Sequence, residues 1–297
     1  MISSQLRRPV HTRRSWLFIA GADESALCAG IASGADVLIQ DLEDFTPQTL
    51  KAHGRILSKN SIRMWKESGL VSAVRINPLE HGGYDDLSAA VAANVDVIML
   101  AKASDVAQIG ALDRELTRLE RTHGLPIGHI EIVPAIESAA AVLQISSLAR
   151  SSSRVTAMLM ASEDMATDMD VTRTRNGTEL AYARSRFFFE CAAAKVFAID
   201  CPYTFADPTG AEQDLQFASS IGYKAKSLVE PAQAAVINKL FTPSPAEVAL
   251  AIRVTNLFDN AQKEGRTRVE MDGHLLEVPT YTAAKRLLAR ASQFPDA

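Results

Sequence analysis

Short apolar runs rich in β-branched residues alternate with longer amphipathic stretches along most of the chain. Each run is apolar on successive residues, which is typical of parallel strands that are buried on both faces. The alternation therefore predicts repeated strand–helix units. The eight predicted strands are Trp16–Ala20, Val37–Gln40, Val71–Ile76, Val95–Ala101, Ile130–Ala135, Val155–Met160, Val196–Ile199 and Lys226–Val229.

Amphipathic helices are predicted between several of these strands. Eight strands with intervening helices favour a (β/α)8 barrel, the TIM barrel. A doubly wound open sheet gives the same local pattern, so periodicity alone leaves both folds open. The predicted helices are Tyr84–Ala93, Asp105–Thr122, Glu137–Arg150 and Leu180–Lys195.

The pattern changes near residue 240, which divides the chain into a barrel domain, residues 1–240, and a C-terminal extension, residues 241–297. Ser244 is a good helix N-cap, and Pro245 suits a first helical position. Asp272-Gly273 predicts the type I′ turn of a hairpin. The extension has little apolar content, so we expect it to pack on its own barrel or on that of a neighbouring subunit. Its predicted elements are a helix from Pro245 to about Lys263, a hairpin of Val269–Met271 and His274–Val278, and a helix over Thr280–Ala291.

Composition and charge exclude several classes of protein. The chain has 297 residues, of which 47% are hydrophobic and 22% charged, as in ordinary globular proteins. Its net charge of -4 argues against a nucleic-acid-binding protein, which normally carries a basic face. The longest apolar runs are too short to span a bilayer. Three widely spaced cysteines, Cys28, Cys191 and Cys201, predict reduced thiols in a cytoplasmic protein.

Four arginines precede the first predicted strand. We interpret them as a solvated basic tail, since a secretory signal would need a longer apolar core. A contact to an anionic ligand or to a neighbouring subunit is the alternative. The four residues are Arg7, Arg8, Arg13 and Arg14.

Acidic residues follow several predicted strands at the point where each strand ends. Asp41, Glu43 and Asp44 come directly after Val37–Gln40, while Glu137 and Asp164 follow later strands. In a barrel the carboxyl ends of all strands meet at one mouth, where the active site is built. Mg²⁺ prefers oxygen ligands, commonly one or two carboxylates with waters and substrate oxygens. The sequence therefore predicts a Mg²⁺ site at this mouth, although Glu137 also suits a helix N-terminus and Asp164 a solvated loop.

Two cationic side chains also stand at strand ends. Arg75 ends a buried strand, where its guanidinium can hold a carboxylate of the substrate or one from the acidic group. Lys102 could form a Schiff base, but an ion pair with a strand-end acid is the favoured interpretation. The sequence has no glycine-rich nucleotide motif and no nucleophile elbow, and its six histidines lack metal-binding spacing. We therefore expect catalysis to rest on carboxylates, arginine and a cation.

Seven motifs in this order resemble the citrate lyase β-subunit-like (CitE-like) group of the HpcH/HpaI aldolase/citrate lyase superfamily. The resemblance is collinear from about residue 13 to residue 290, so it covers nearly the whole chain. The motifs are Arg14-Ser15-Trp16-Leu17-Phe18, Asp41-Leu42-Glu43-Asp44, Val74-Arg75-Ile76-Asn77, Pro134-Ala135-Ile136-Glu137-Ser138, Ser162-Glu163-Asp164-Met165-Ala166, Tyr182-Ala183-Arg184-Ser185-Arg186 and Phe241-Thr242-Pro243-Ser244.

The resemblance implies a TIM barrel that cleaves or forms carbon–carbon bonds in 3-hydroxyacyl-CoA thioesters such as citryl-, malyl- or citramalyl-CoA. It implies that Glu137 and Asp164 bind Mg²⁺ and that Arg75 holds the carboxylate of a 2-oxo acid. Glu43 and Asp44 would order metal-bound waters. The resemblance also assigns substrate contacts to Ala161, Ser162 and Glu163.

The resemblance further implies a homo-oligomer, typically a trimer or a dimer of trimers. In thioester-cleaving members an aspartate of the C-terminal hairpin reaches into an adjacent subunit's site for proton transfer. The corresponding residue here is Glu277, which keeps the carboxylate and adds one methylene.

Further departures concern the region that lies near the acyl-CoA entrance in the family. Ala20 replaces a proline and Ala29 a common lysine, while Glu230 replaces a histidine farther along. These departures keep two alternatives open: a Mg²⁺-dependent 2-oxo acid aldolase acting on a non-CoA substrate, and a non-catalytic paralogue. The first predicts turnover of free hydroxy-oxo acids without affinity for CoA, and the second predicts assembly without metal-dependent turnover.

Overall fold

Eight parallel strands form a barrel in the computed structural model, which describes residues 7–266 and 268–294. The chain separates into two compact units, one up to Asn238 and one from Lys239 onwards. The barrel strands lie in the first unit. They are β1 (Ser15–Ala20), β2 (Val37–Asp41), β3 (Val71–Ile76), β4 (Val97–Leu100), β5 (Glu131–Ile136), β6 (Ala157–Met160), β7 (Phe197–Ile199) and β8 (Lys226–Leu228).

Each strand from β1 to β6 pairs in parallel with the next along the chain, and β1 also pairs with β8. The circle closes between β7 and β8, where Asp200 and Lys226 form a parallel bridge. The backbone N–H of Ser227 donates to the carbonyl of Asp200 at 2.9 Å there. The predicted TIM barrel is therefore confirmed, and the doubly wound open sheet is wrong.

Helices of the first unit connect the strands. The predicted helix over Glu137–Arg150 is divided into two short helices, and Ser138 caps the first by accepting a hydrogen bond from Ala141 N at 3.2 Å. The helices are α1 (Glu24–Ala29), α2 (Lys51–Glu67), α3 (Gly83–Ala92), α4 (Val106–His123), α5 (Ala139–Val142), α6 (Ile145–Arg150), α7 (Ser162–Asp168), α8 (Ala181–Ala194), α9 (Pro208–Ile221) and α10 (Gln233–Phe241), the last of which runs into the second unit.

Alternate residues of the strands fill the barrel interior, because successive side chains of a strand point to opposite faces. Val37 and Ile39 point inward on β2, Val71 and Ala73 on β3, and Val133 and Ala135 on β5. Two residues farther along each strand, the same alternation places an ionisable residue at the C-terminal mouth. These residues are Asp41, Arg75 and Glu137.

The N-terminal arginines form ion pairs at the opposite end of the barrel, so the solvated-tail interpretation is wrong. Arg13 is buried and donates from both terminal nitrogens to Glu131 at 2.8 Å each. Arg8 and Arg14 both pair with Asp36, which precedes β2. Acidic residues at the starts of the strands recruit these arginines, and the sequence pattern did not reveal that pairing.

A second buried ionic network joins β7, α8, α9 and β8. Arg184 donates to Asp200 at 3.0 and 2.6 Å and to Asp214 at 2.5 Å. The ammonium of Lys226 lies 2.6 Å from both of these aspartates. Asp200 is fully buried, so the two cations compensate the cost of taking its charge out of water.

The second unit contains a helix, a hairpin and a final helix, as predicted. Its elements are α11 (Pro245–Lys263), β9 (Val269–Met271), β10 (His274–Leu276) and α12 (Val278–Ala291). Ser244 and Glu247 form a capping box at the start of α11. Asp272 and Gly273 have φ values of 51° and 78°, and positive φ at both central residues is the mark of a type I′ turn. Among the residues that the structure describes, no helix is long and apolar enough to cross a membrane.

Candidate active site

Arg75 and Asp41 form a buried ion pair at the mouth, where they are register partners on β3 and β2. Arg75 Nε donates to Asp41 Oδ1 at 3.0 Å, and Nη2 donates to Oδ2. The other terminal nitrogen, Nη1, lies 3.3 Å from Glu43 Oε2. Burial alone would lower the pKa of Arg75, but the charges of Asp41 and Glu43 outweigh it and raise that pKa. Asp41 therefore orients the arginine, which stays charged.

Two aromatic rings enclose the same guanidinium. Arg75 Cζ lies 5.0 Å from the centroid of Phe18 and 5.6 Å from that of Phe45, within the range of cation–π contacts. The contacts to Asp41 and Glu43 engage at most three of the five N–H donors of an arginine. The remaining N–H donors are available to a further carboxylate, at a position that the two rings partly shield from water.

Glu137 is a buried carboxylate that forms no ion pair in the described part of the chain, and the charge of Arg75 and the backbone N–H of Lys102 offset the rise in its pKa only in part. It follows β5 and is 6% exposed, and in residues 7–266 and 268–294 neither of its oxygens accepts a hydrogen bond of normal geometry from a side chain or backbone group. Burial and the neighbouring charge of Asp164 raise its pKa to about 7. It starts no helix, because α5 begins at Ala139 with Ser138 as its cap. A buried, unsatisfied carboxylate is costly, so its position indicates a cationic ligand.

Asp164 lies in the first turn of α7 and shares a cavity of about 330 Å³ with Glu137. Within the described part of the chain, no three His, Cys, Asp or Glu side chains converge as a closed metal cage. Two carboxylates at an open cavity fit Mg²⁺ nevertheless, since this ion usually keeps several waters or substrate oxygens. The cavity is lined by Lys102, Ala103, Ser104, Glu137, Ser138, Asp164, Thr167 and Asp168.

Lys102 forms the ion pair that the sequence favoured. Its ammonium contacts Glu43 and lies 3.8 Å from Asp44. Burial would raise the pKa of Glu43, but Arg75 and Lys102 lower it overall. Burial and the adjacent charge of Glu43 raise the pKa of Asp44. The expected pairing of Arg75 with the acidic group thus involves Asp41 and Glu43, while Asp44 pairs with Lys102.

Glu163 connects three segments around the mouth. Its Oε1 accepts hydrogen bonds from Thr204 at 2.7 Å and from Arg173 at 3.2 Å. Ser162, at the start of α7, donates to the carbonyl of Pro202 at 3.3 Å, and Ala161 is the buried residue before that helix. These bonds hold α7, which carries Asp164, to the loop after β7. The expected substrate contacts of Ala161, Ser162 and Glu163 stay predictions.

Glu277 lies in the second unit, where it is the residue preceding α12. Its Oε1 is 3.2 Å from Arg268 Nε, and both side chains are about half exposed or more. The catalytic role of Glu277 stays a prediction.

An apolar cavity of about 650 Å³ adjoins Phe18 and Phe45. It lies between β1, the segment of α1 and the residues after β8, and neither lysine nor arginine lines it in the part of the chain that the structure describes. Sequence reasoning missed this cavity and the two rings, because Phe18 in an apolar run cannot be told from core and Phe45 stands alone in a polar loop. The residues that line it are Leu17, Phe18, Ile19, Ala20, Ala26, Ala29, Gly30, Ala32, Ser33, Phe45, Val229, Pro231, Ala232 and Ala235.

The fold and the site together define a barrel enzyme whose ionisable groups gather at the C-terminal mouth. The chain belongs to the HpcH/HpaI aldolase/citrate lyase family, whose model matches residues 14–231. It is therefore an enzyme of the lyase class, and the resemblance seen in the sequence is confirmed at the level of the family.

Named relatives cover nearly the whole chain. It is 31% identical to citrate lyase subunit beta of Leuconostoc mesenteroides subsp. cremoris over 96% of this chain and 95% of that protein. It is 27% identical to the (3S)-malyl-CoA thioesterase of Cereibacter sphaeroides, with 95% of each covered. The structure of CitE from Mycobacterium tuberculosis with magnesium, acetoacetate and coenzyme A matches at TM-score 0.72 and 23% identity, covering 97% of this chain and 99% of that one. The last likeness concerns the fold alone.

Proposed function

We propose that this protein is a Mg²⁺-dependent carbon–carbon lyase that cleaves or forms a 3-hydroxy-carboxyacyl thioester, such as malyl-, citramalyl- or citryl-CoA. The products of cleavage are a 2-oxo acid and an acyl thioester. The observation that carries the proposal is Glu137, a buried carboxylate with both oxygens unpaired among the described residues, beside Asp164 and an open cavity. Two named relatives support different parts of the proposal: the citrate lyase subunit supports the lyase chemistry, and the (3S)-malyl-CoA thioesterase, whose name denotes thioester hydrolysis, supports a malyl-CoA-type substrate.

Glu137 and Asp164 would hold the ion, and bound Mg²⁺ would polarise the oxygen of the oxo-acid portion. Arg75 would hold the neighbouring carboxylate with the donors that Asp41 and Glu43 leave available. Phe18 and Phe45, which pack against the guanidinium, would limit the access of water to this ion pair and so strengthen it. In the cleavage direction the substrate hydroxyl loses its proton and the C2–C3 bond breaks. Its electron pair stays on C2, which then takes up a proton.

Glu277, supplied by the C-terminal hairpin of a neighbouring subunit, is proposed as the group that accepts the hydroxyl proton as a carboxylate and then donates it to C2 as a carboxylic acid. The proposal accordingly includes a homotrimer or a homohexamer. Replacement of Glu277 by glutamine should leave Mg²⁺ binding intact and remove proton exchange at C2. Turnover at the wild-type rate in that variant would exclude the hairpin acid.

The apolar cavity beside Phe18 and Phe45 is proposed to receive the acyl-thioester arm. Its lining offers apolar contact without a cation for the nucleotide phosphates of CoA. The absence of a cation from the lining that the structure describes favours the second candidate function, an aldolase that acts on free 2-oxo acids. A panel of acyl-CoA thioesters and free hydroxy acids, assayed with and without Mg²⁺, separates the two, since only the lyase consumes thioesters.

Mg²⁺ affinity is expected to depend on pH through Glu137. Its pKa of about 7 means that the side chain is mostly protonated below neutrality, and a proton competes with the metal. The apparent dissociation constant for Mg²⁺ should therefore be about tenfold higher at pH 6 than at pH 8 and change little above pH 8. Calorimetric titrations of the metal-free protein at these pH values measure it. Affinity that stays constant from pH 6 to pH 8 would contradict the assignment of Glu137 as a ligand.

Filling the apolar cavity is expected to weaken thioester binding selectively. Ala29 is exposed and lines that cavity, so Ala29→Phe should raise KM for an acyl thioester by about tenfold or more while Mg²⁺ affinity stays unchanged. Ala52→Phe, at an exposed position of α2, is the control and should leave both quantities unchanged. Steady-state kinetics measure KM, and an unaltered KM in Ala29→Phe would exclude the cavity as the arm site.

A further inference from the structure

Lys102 adopts a backbone conformation that is unusual for its residue type. It follows β4 at the barrel mouth, and its φ is 53°, in the left-handed region. A side chain with a Cβ carries a steric cost there, which glycine avoids and asparagine largely tolerates. Such strain persists only where the surroundings over-determine the conformation, and it clusters at functional sites.

The side chain of Lys102 links the acidic group to the metal cavity. Its ammonium contacts Glu43 and lies 3.8 Å from Asp44, and the residue lines the cavity that holds Glu137 and Asp164. Glu43 is almost fully buried and is held from its other side by Arg75 Nη1 at 3.3 Å. Glu43 is therefore fixed between two cations.

The barrel mouth carries more carboxylates than cations, so the position of Glu43 between its two cations affects what a metal ion can bind. Five carboxylates gather there, and the cations that pair with them in the described residues are Arg75 and Lys102. Carboxylate oxygens are ligands that a hard divalent ion takes readily. An ion surrounded by additional carboxylates would lose positions that substrate oxygens need. The five are Asp41, Glu43, Asp44, Glu137 and Asp164.

We propose that Lys102 is a positioning residue that keeps Glu43 and Asp44 outside the Mg²⁺ site, so that the ion retains coordination positions for the anionic 2-oxo acid. This inference rests on the proposed function and extends it to the selectivity between metal and substrate. Without Lys102, Glu43 would lose one of its two cations and the mouth would become more negative. Metal binding and anion binding should then change in opposite directions.

The test compares three variants in the full-length protein. Lys102→Asn removes the ammonium at a residue type that accepts the left-handed backbone. Lys195→Asn is a matched control, because Lys195 is exposed at the end of α8 with a φ of 59°. Lys102→Arg restores the cation. Each variant should unfold in one cooperative thermal transition, which shows that it is folded under the conditions of the binding experiments.

The probes are Mg²⁺ alone and oxalate added at saturating Mg²⁺, both followed by calorimetry. In Lys102→Asn we expect Mg²⁺ to bind about 3–10-fold more tightly and oxalate about tenfold or more weakly than in wild type. Lys195→Asn should match wild type for both ligands, and Lys102→Arg should restore most of the oxalate affinity.

The possible failures are distinguishable. Weakening of both ligands together in Lys102→Asn, or affinities equal to those of wild type, overturns the role of Lys102 and leaves the proposed function standing. Equal effects in Lys195→Asn overturn it as well. A wild-type protein that binds neither Mg²⁺ nor oxalate overturns the proposed function and this inference with it.

Discussion

Glu137→Gln is expected to abolish Mg²⁺-dependent turnover and, in EDTA at pH 8, to raise the free energy of unfolding by about 2–3 kcal/mol. Folding raises the pKa of this carboxyl from its ordinary value of 4.5 to about 7. As pH rises from 4.5 to 7, the unfolded chain loses the proton first, so wild-type stability falls and the full penalty is present above pH 7. Glutamine removes that penalty together with the ligand. Urea unfolding at pH 4.5 and pH 8 measures the free energy of unfolding of both proteins. Glu137→Gln should be more stable than wild type only at pH 8.

Glu131→Gln is the matched control, because Glu131 and Glu137 stand at opposite ends of β5 on the same face. Burial would raise the pKa of Glu131, but the hydrogen bonds and charge of Arg13 lower it overall. The same substitution should therefore destabilise the protein there, by about 1–3 kcal/mol at pH 8. If Glu131→Gln and Glu137→Gln changed the free energy of unfolding in the same direction, the assignment of Glu131 as ion-paired and Glu137 as unpaired would be wrong.

Asp200→Ala is expected to lower the free energy of unfolding by about 3–5 kcal/mol, the largest stability effect that the structure predicts. The substitution leaves Arg184 and Lys226 buried with Asp214 as their remaining acidic partner. The bridge that closes the barrel between Asp200 and Lys226 lies at the same place, so the damage should spread to β7 and β8. Urea unfolding, together with hydrogen exchange of the β8 amides, measures both effects.

The surface pair of Arg63 and Glu67 provides the contrast. Arg63 Nη1 lies 3.2 Å from Glu67 Oε1, and both side chains are about 60% exposed. Arg63→Ala should therefore change the free energy of unfolding by less than about 0.5 kcal/mol. If Asp200→Ala changed stability by no more than Arg63→Ala, the buried network would not stabilise the barrel as described.

The sequence predicted parallel strands because buried strands read as continuous apolar runs, and the count of eight strands with the family resemblance favoured the barrel over an open sheet. It also predicted that Arg75, Glu137 and the acids after β2 share one mouth, since a residue at the end of an inward-facing series must point there. Helix α2 was missed because its buried face includes Gly54, Ser58 and Ser61, which weaken an apolar pattern.

Other features depend on pairing in three dimensions, which spacing does not show. The sequence predicts a solvated tail for the arginines before β1, whereas the structure pairs them with acids at the starts of β2 and β5. Asp41 is the principal partner of Arg75 because the two residues are register partners on β2 and β3. The apolar periodicity of a strand does not reveal its register with a neighbouring strand. The strained backbone of Lys102 likewise has no signal in the sequence.

The most direct test of the metal-dependent lyase is release of a 2-oxo acid from a 3-hydroxy-carboxyacyl-CoA by EDTA-treated protein, before and after Mg²⁺ is restored. The substrate is taken from the thioester panel, and Asp164→Asn is assayed beside wild type. We expect no release before Mg²⁺ is added, full release afterwards, and none in Asp164→Asn under either condition. Undiminished release by the EDTA-treated wild type, or Mg²⁺-dependent release at the wild-type rate by Asp164→Asn, would contradict this expectation.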